Sequence, residues 1–200
     1  MLIIETMLSL LLSLSEITDR ESLRFVYSEE QGYDSSCGLT TLACLMSTYW
    51  GVHASENDLA RDFLKEKLEA GDYTTNFADM KRILEAKGFK VAAYKMNPSQ
   101  LSKATERYAP ILAHYAKPEG HFVLVLSVRE ESVVVADPAQ GLETLALRDF
   151  EALWSGYVLL AAIPNQKPNK VALEGARAEA LGRNKLLERA SLTQAGAARW

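Results

Sequence analysis

The sequence predicts an α+β fold, in which helices come first along the chain and an antiparallel sheet follows. Apolar residues in the segment 37–87 recur at the three- and four-residue spacing of amphipathic helices. From residue 90 onwards they come in short runs, which is typical of strands buried on both faces. Because the helices precede the strands rather than alternating with them, the sequence indicates α+β.

The first predicted helix runs from Cys37 to about Trp50. Ser35 or Ser36 can cap its N-terminus, and Gly51 can end it. Apolar residues recur along it with the i, i+3, i+4, i+7 spacing of a buried helix face.

Two further helices are predicted before the sheet. One begins after Ser55, which forms a variant of the capping box with Asp58, and it runs to about Glu69. The other covers residues 77–87 and has Asn76 as its candidate cap.

The second half is predicted to hold five strands, with short helices after Asn97 and from Arg148 to Trp154, and a turn from Asp137 to Gly141. The strands cover residues 90–95, 111–115, 122–128, 133–136 and 157–163. The runs at 122–128 and 133–136 are continuously apolar, as expected for strands at the centre of a sheet.

The domain is predicted to cover residues 25–164, with a segment at each end. In residues 1–24, the run from Met7 to Leu14 is short enough for the apolar part of a signal peptide, but Glu5 precedes it and no Lys or Arg does. The alternative is a short amphipathic helix or a frayed terminus. Residues 165–200 are basic and Ala-rich, and we expect a loosely attached tail that is helical or disordered. The alternative is an amphipathic helix that docks on the domain or lies on a membrane surface.

The composition excludes several functions. The formal net charge is −4, and aromatic residues are not interleaved with basic ones, so nucleic-acid binding is not expected. No apolar run approaches the ~18 residues that a membrane span needs, so no integral span is expected. Cys37 and Cys44 lie seven residues apart in a predicted helix, about 10 Å from each other. Neither a disulfide nor a CxxC metal site is therefore available, and we expect no metal or cofactor.

Cys37 is the candidate nucleophile. It lies at the predicted N-terminus of a helix, where unpaired N–H groups and the helix dipole favour a thiolate. The following residue, Gly38, would let a substrate backbone approach closely. A free cysteine is more often a small buried apolar residue, and that interpretation suits Cys44.

A cysteine nucleophile needs a base, which is most often histidine. Of the three histidines, His53 follows the first helix in a short loop, and His114 lies within a strand. His121 begins the most apolar strand, and the next strand ends at Asp137, whose carboxylate could orient an imidazole.

The period of a β-strand tests this pairing. If the two apolar strands are joined by a two-residue turn, His121 and Asp137 face opposite sides of the sheet, because side chains alternate. They share a face only if the loop has an odd length or a strand contains a bulge. We therefore predict an odd-length loop between Arg129 and Ser132.

Gln31 is the candidate oxyanion donor. It precedes Cys37 by six residues, and its side-chain amide could converge with the Cys37 backbone N–H on a developing negative charge. Taken alone, it would be an ordinary exposed loop residue.

Four segments resemble peptidase family C39, the papain-fold domain of bacteriocin-processing enzymes that removes double-glycine leader peptides. They are Gln31 to Gly38 (Q-x5-C-G), His121 to Val125 (H-F-V-L-V), Asp137 to Gly141 (D-P-A-x-G) and Phe150 to Gly156 (F-x3-W-x-G). The sixteen-residue separation of His121 and Asp137 is also similar to that in the family.

The resemblance implies a papain-like cysteine peptidase fold, with the helical half packed on the sheet. It also implies that Cys37 is the nucleophile, His121 the general base, Asp137 its orienting partner and Gln31 the oxyanion-hole donor.

The implied function is that of a cysteine endopeptidase that cleaves a leader or precursor peptide, with a Gly-Gly-type leader as a class-level expectation. A link to the secretion machinery for a peptide or surface protein is also implied. No membrane helix is predicted and the sequence contains no G-x4-G-K-[ST] loop, so the chain resembles the stand-alone branch of the family. The resemblance favours a periplasmic or secreted location; a cytoplasmic one would follow if residues 1–24 are not a signal peptide.

Two alternatives remain open. A C39-like module could bind or escort a secreted peptide or fibre subunit without cutting it. The same residues could also serve other thiol-dependent amide chemistry, such as peptidoglycan cleavage or acyl transfer.

Overall fold

The structure, a computed structural model, describes residues 24–197 and side chains as far as residue 183. The candidate signal peptide therefore lies outside the described residues. The helical half comprises α1, a π-helical turn, α2, α3 and α4. Their bounds are Cys37–Cys44, Leu45–Tyr49, Glu56–Phe63, Lys65–Glu69 and Phe77–Ala86.

The predicted caps of the second and third helices are confirmed, but the second helix is not continuous. Ser55 accepts a hydrogen bond from the Asp58 N–H, and Asn76 caps α4. Leu64 separates α2 from α3, because its backbone leaves the helical region (φ −125°, ψ 29°) while its side chain is buried. The single helix predicted from Ser55 to about Glu69 is therefore wrong at this point.

The second half forms one six-stranded antiparallel sheet, with the order β1-β6-β2-β3-β4-β5. The strands are β1 Lys90–Lys95, β2 Ile111–Tyr115, β3 His121–Arg129, β4 Ser132–Asp137, β5 Gly141–Ala146 and β6 Trp154–Ala162. Two helices intervene, α5 Pro98–Tyr108 and α6 Leu147–Leu153. The five predicted strands are present, and β5 is an additional edge strand whose mixed polarity is not typical of a strand.

The sheet is covered on both faces, which explains why its central strands are continuously apolar. Alternate residues of β3 and β4, such as Leu124 and Val134, belong to the core cluster that also contains buried residues of α1, α2 and α4. The intervening residues, such as Val123 and Val135, pack against α5 and α6, where Phe150 is fully buried.

The loop between β3 and β4 differs from the prediction. Arg129 pairs with Ser132, which leaves a two-residue turn of Glu130 and Glu131, with Glu130 at a positive φ of 49°. The predicted odd-length loop is therefore wrong, because a two-residue turn with positive φ suits the twist of a hairpin.

A bulge in β3 changes the register instead. Val125 pairs with Val135 while Ser127 pairs with Val134, so Leu126 is an extra residue on β3. Every β3 residue before Leu126 is thereby moved to the other face relative to β4.

The last helix, α7, spans Lys170–Ala197. The expectation of a loosely attached tail is wrong for its first half, because Leu173, Ala176 and Ala180 are buried in the core on the α1 side of the sheet. None of the helices between residues 24 and 197 is both long and apolar enough to cross a membrane.

The turn that joins β4 to β5 lies under the first described residues. Gly141 has a φ of +83°, and a Cβ atom there would lie 2.6 Å from the Arg24 carbonyl oxygen. The glycine is therefore required both by its backbone conformation and by the close approach of another segment.

We expect Gly141→Ala to destabilise the protein more than Gly51→Ala does. Gly51 also has a positive φ (+64°), but a Cβ atom there would meet nothing within 4 Å, so it shares only the conformational strain. The additional clash at Gly141 should lower the free energy of unfolding by a further ~1–3 kcal/mol in urea denaturation. Equal losses in the two variants would contradict the close approach of Arg24.

Candidate active site

The two cysteines lie at opposite ends of α1. Cys37 begins the helix and is half-buried, whereas Cys44 ends it and is buried. Ser36 precedes the helix, but its hydroxyl donates to the Tyr33 carbonyl at 2.8 Å and does not cap a helical N–H. The predicted capping role of Ser36 is therefore wrong, since its side chain closes the turn before the helix.

One hydrogen bond fixes the first turns of α1 against β3. The Thr41 hydroxyl donates to the Phe122 carbonyl at 3.0 Å. Thr41 lies one helical turn after Cys37, and Phe122 follows His121. The bond therefore joins the helix that begins at Cys37 to the strand that begins at His121.

The bulge brings His121 and Asp137 to the same face of the sheet. Because Val125 pairs with Val135, extending the register places Asp137 opposite Val123, with His121 two residues further along that face. His121 Nε2 lies 2.9 Å from Asp137 Oδ1. Without the extra residue at Leu126, the two side chains would face opposite ways.

The Asp137 carboxylate is held by its own turn. Besides the imidazole, Oδ1 accepts hydrogen bonds from the Ala139 N–H at 2.7 Å and the Gln140 N–H at 3.1 Å. Its side chain is only 7% exposed. These bonds leave the carboxylate little freedom to turn away from His121.

The segment before α1 secures the same turn. The Ser28 hydroxyl donates to the Asp137 carbonyl at 3.0 Å, and the Gln31 N–H donates to the Pro138 carbonyl at 3.0 Å. We call residues 24–36 the leading strap. It links the cysteine-bearing helix to the turn that holds the carboxylate.

The electrostatics favour a protonated His121. Burial lowers the pKa of the imidazole, but hydrogen bonds with Asp137 and with Cys37, together with the negative charges of both, raise it to about 9. Since Nε2 contacts Asp137, Nδ1 is the nitrogen that remains for the thiol. The arrangement can therefore hold a thiolate beside an imidazolium.

An aromatic cluster supports the imidazole from the sheet. The Tyr115 ring lies 6.1 Å from the His121 ring and 5.7 Å from Phe150, which lies 5.4 Å from Trp154. Burial and the nearby Asp137 charge raise the pKa of Tyr115, so it stays a neutral phenol. Phe150 and Trp154, the aromatic residues of the F-x3-W-x-G segment, thus pack behind Tyr115.

A cleft of about 590 Å³ opens in front of Cys37 and His121. Its other lining residues are Asp34, Ser35, Thr74, Thr75, Asn76, Phe77, His114, Glu119, Gly120, Phe122 and Tyr157. His114 contacts Phe77 and Phe122, and burial and the His121 charge lower its pKa, so it forms a neutral part of the wall.

Gly38 has a different role from the one predicted. A Cβ atom at this position would collide with the Thr75 hydroxyl and lie 3.2 Å from a ring carbon of Phe122. Glycine at position 38 therefore lets Thr75 and Phe122, which line the cleft, pack directly against the backbone of α1. No local sequence pattern points to Thr75, which lies in the loop before α4.

The structure brings Cys37, His121 and Asp137 together, whereas the Gln31 amide is bonded to the loop before α1. The Gln31 Nε2 group donates to the Asp34 carbonyl at 3.4 Å, and Oε1 is buried without a partner. Among the described residues, Gln31 does not line the cleft. Its oxyanion role stays a prediction.

Comparisons with known proteins identify the family and the fold that this chain shares with them. The model of the Peptidase C39 family matches residues 26–166. A relative from Pseudomonas aeruginosa, named "Probable functional amyloid protease FapD", is 30% identical over 137 residues, which cover 68% of this chain and 60% of the relative. The chain thus spans less than two thirds of the length of this curated relative.

Solved structures share the fold. The peptidase domain of Streptococcus ComA, a bi-functional ABC transporter involved in a quorum sensing pathway, superposes with a TM-score of 0.60 at 18% identity, covering 68% of this chain and 98% of that one. A double glycine motif protease from an AMS/PCAT transporter, in complex with its leader peptide, gives 0.52 at 19% identity, covering 71% and 91%. The chain therefore has the fold of these peptidase domains.

We expect the free energy of unfolding to fall as the pH rises from about 6.5 to about 9. The folded protein keeps the His121 proton up to about pH 9, whereas the unfolded chain loses it near 6.5. The folded state therefore binds more protons in this window, so the stabilisation is complete below about pH 6.5 and is lost as the pH passes through about 9. Urea denaturation over a pH series measures the slope.

Asp137→Asn should reduce that slope, because it keeps the shape of the side chain but removes the charge. Asp149→Asn is the matched control, since the Asp149 side chain is 61% exposed and contacts only neighbouring Arg148 among the ion pairs described. Equal slopes in the wild type and Asp137→Asn would contradict the assignment.

Gly38→Ala should lower the free energy of unfolding by ~1–3 kcal/mol, because the new methyl group meets Thr75. In a Thr75→Ala background, which removes the colliding hydroxyl, the loss should be at least ~1 kcal/mol smaller. A double-mutant cycle in urea measures the coupling. Strictly additive effects would show that Thr75 is not what requires glycine.

Proposed function

The chain belongs to the peptidase C39 family, and from this premise we propose that it is a cysteine endopeptidase with Cys37 as nucleophile and His121 as general base. The observation that carries the proposal is the contact of His121 with both Asp137 and Cys37, at a helix N-terminus that faces an open cleft. Cys44, at the other end of the same helix, is not a candidate nucleophile, because burial raises the pKa of its thiol to about 12.

In the first step, the Cys37 thiolate attacks the carbonyl carbon of a peptide bond and forms a C–S bond. The C–N bond then breaks, and the His121 imidazolium gives its proton to the leaving amine. His121, now neutral, takes a proton from water as the water oxygen bonds to the thioester carbon. The C–S bond then breaks, which releases the acid and restores the Cys37 thiolate beside the His121 imidazolium. Asp137 keeps the imidazole oriented and stabilises its charged form throughout.

Negative charge develops on the carbonyl oxygen during each attack. The Cys37 N–H belongs to the first turn of α1, where backbone donors have no intrahelical acceptor, so it can donate to this oxygen. We assign the second donor to Gln31. Its present hydrogen bond to Asp34 is long, at 3.4 Å, and a rotation of the side chain would release it.

We propose a leader or precursor peptide as the substrate, linked to secretion of a peptide or a surface protein. Two comparisons support this class: the name of the Pseudomonas aeruginosa relative refers to functional amyloid, and the AMS/PCAT protease binds a leader peptide. The cleft agrees with an extended peptide, since aromatic rings of Phe77, Phe122 and Tyr157 form apolar surface in it.

We expect iodoacetamide to alkylate Cys37 selectively at about pH 6.5, where an ordinary thiol is almost entirely protonated. Cys44 is the internal control, because it is buried. His121→Ala should slow the alkylation of Cys37 at least about tenfold, whereas His53→Ala, at an exposed position, should not. Peptide mass spectrometry measures both rates.

The same samples distinguish the peptidase from a binding module. If Cys37 reacts no faster than Cys44, the catalytic assignment is wrong and a peptide-binding role is favoured. If Cys37 is selective, a panel of precursor peptides should be cleaved by the wild type and left intact by Cys37→Ala.

A further inference from the structure

The bulge that aligns His121 with Asp137 leaves a backbone group without a partner in the sheet. Leu126 has no paired residue on β4, and β2 ends its pairing one residue earlier, at Ile111 opposite Val125. Leu126 is fully buried. A buried carbonyl that lacks a hydrogen bond is costly, so the bulge needs a donor from elsewhere.

Arg177 supplies that donor from α7. Its Nε and Nη2 atoms lie 2.9 Å and 2.5 Å from the Leu126 carbonyl oxygen. Both N–H groups of one edge of the guanidinium thus converge on a single acceptor. Arg177 follows residue 166, where the match to the family model ends.

The helix that carries Arg177 is anchored on both sides of it. Leu173, Ala176 and Ala180 are buried in the core, and the Asn169 N–H donates to the Tyr49 carbonyl at 2.6 Å. At Gly175 the helix lies so close to Tyr27 that a Cβ atom there would collide with the ring. The guanidinium is therefore presented to Leu126 from a fixed position.

Electrostatics alone would not place an arginine here. Burial and the nearby Arg129 charge both disfavour the charged guanidinium and lower its pKa, and the attraction of Glu174 opposes them only in part. The two bonds to the Leu126 carbonyl account for its position.

We propose that Arg177 is a positioning residue of the active site: by bonding the Leu126 carbonyl, it stabilises the bulge that keeps His121 and Asp137 on one face. Its effect on turnover rests on the proposed peptidase function, but its effect on the His121–Asp137 contact does not. The last helix thereby becomes part of the catalytic architecture although its described residues do not line the cleft.

The test uses Arg177→Met in the full chain, because methionine retains an apolar stem and removes the donors. Lys170→Met is the matched control, since it removes an 82% exposed cation from the same helix. Histidine titrations by NMR are recorded in a Cys37→Ala background, where Asp137 alone supports the imidazolium. We expect Arg177→Met to lower the His121 pKa by about one pH unit and Lys170→Met to leave it unchanged.

In the chain that retains Cys37, Arg177→Met should also slow iodoacetamide alkylation of Cys37 about tenfold at pH 6.5. A purely structural arginine would lower only the melting temperature. Unchanged His121 titration in folded Arg177→Met would therefore overturn the proposal. If wild-type Cys37 lacks selective reactivity, the peptidase function fails, and the titration in the Cys37→Ala background still decides the role of Arg177.

Arg177→Lys provides a second variant if the methionine protein does not fold. Lysine keeps the charge but replaces the planar fork with one ammonium group, so the paired contact to Leu126 is lost. We expect a smaller but measurable decrease in the His121 pKa. A titration identical to that of the wild type would overturn the proposal.

Discussion

The hydrogen bond between His121 and Asp137 depends on a constraint that no side chain controls, namely the two-residue period of a β-strand. The residues end one strand and begin its neighbour, and a regular hairpin with a two-residue turn would separate them by the thickness of the sheet. One inserted residue at Leu126 removes the conflict. The site thus requires a backbone irregularity about five residues from the imidazole. The contacts that stabilise this bulge are therefore as necessary as the contacts within the site.

Three segments that pack on the α1 side of the sheet meet this requirement. The leading strap donates to the Asp137 and Pro138 carbonyls, while Thr41 fixes α1 to Phe122. Arg177 completes the bulge from the opposite end of the sequence. Each contact joins parts of the chain far apart in sequence, so the relative positions of Cys37, His121 and Asp137 are a property of the assembled fold rather than of one loop. Such rigid support is what a nucleophile and base need in order to meet at a reacting distance.

Local signals were sufficient for much of this architecture. Periodicity and capping chemistry predicted the helix that starts at Cys37, the caps at Ser55 and Asn76 and the five strands. His121 was preferred to His114 because it begins the most apolar strand and the next strand ends at Asp137. The features that sequence patterns could not predict depend on contacts between distant segments. The position of the bulge, the edge strand β5, the docking of α7 and the collision that makes Gly38 necessary have no local pattern. The alternation of side chains along the strands did show that either an odd-length loop or a bulge was needed. It could not distinguish the two, because each adds one residue between His121 and Asp137, and the predicted odd-length loop was wrong.

The two thiols of α1 show why position outweighs residue type. Both cysteines lie on one helix, yet Cys44 is surrounded by core side chains, and desolvation with the nearby Glu29 charge keeps it protonated. Cys37 lies at the helix N-terminus beside an imidazole whose own partner is a buried carboxylate. A carboxylate that is 7% exposed must be paired to remain charged, and His121 is the cation that pairs with it. The same pairing leaves a positive charge facing the thiol, so one arrangement both stabilises the buried ion pair and provides the activation that the proposed nucleophile needs.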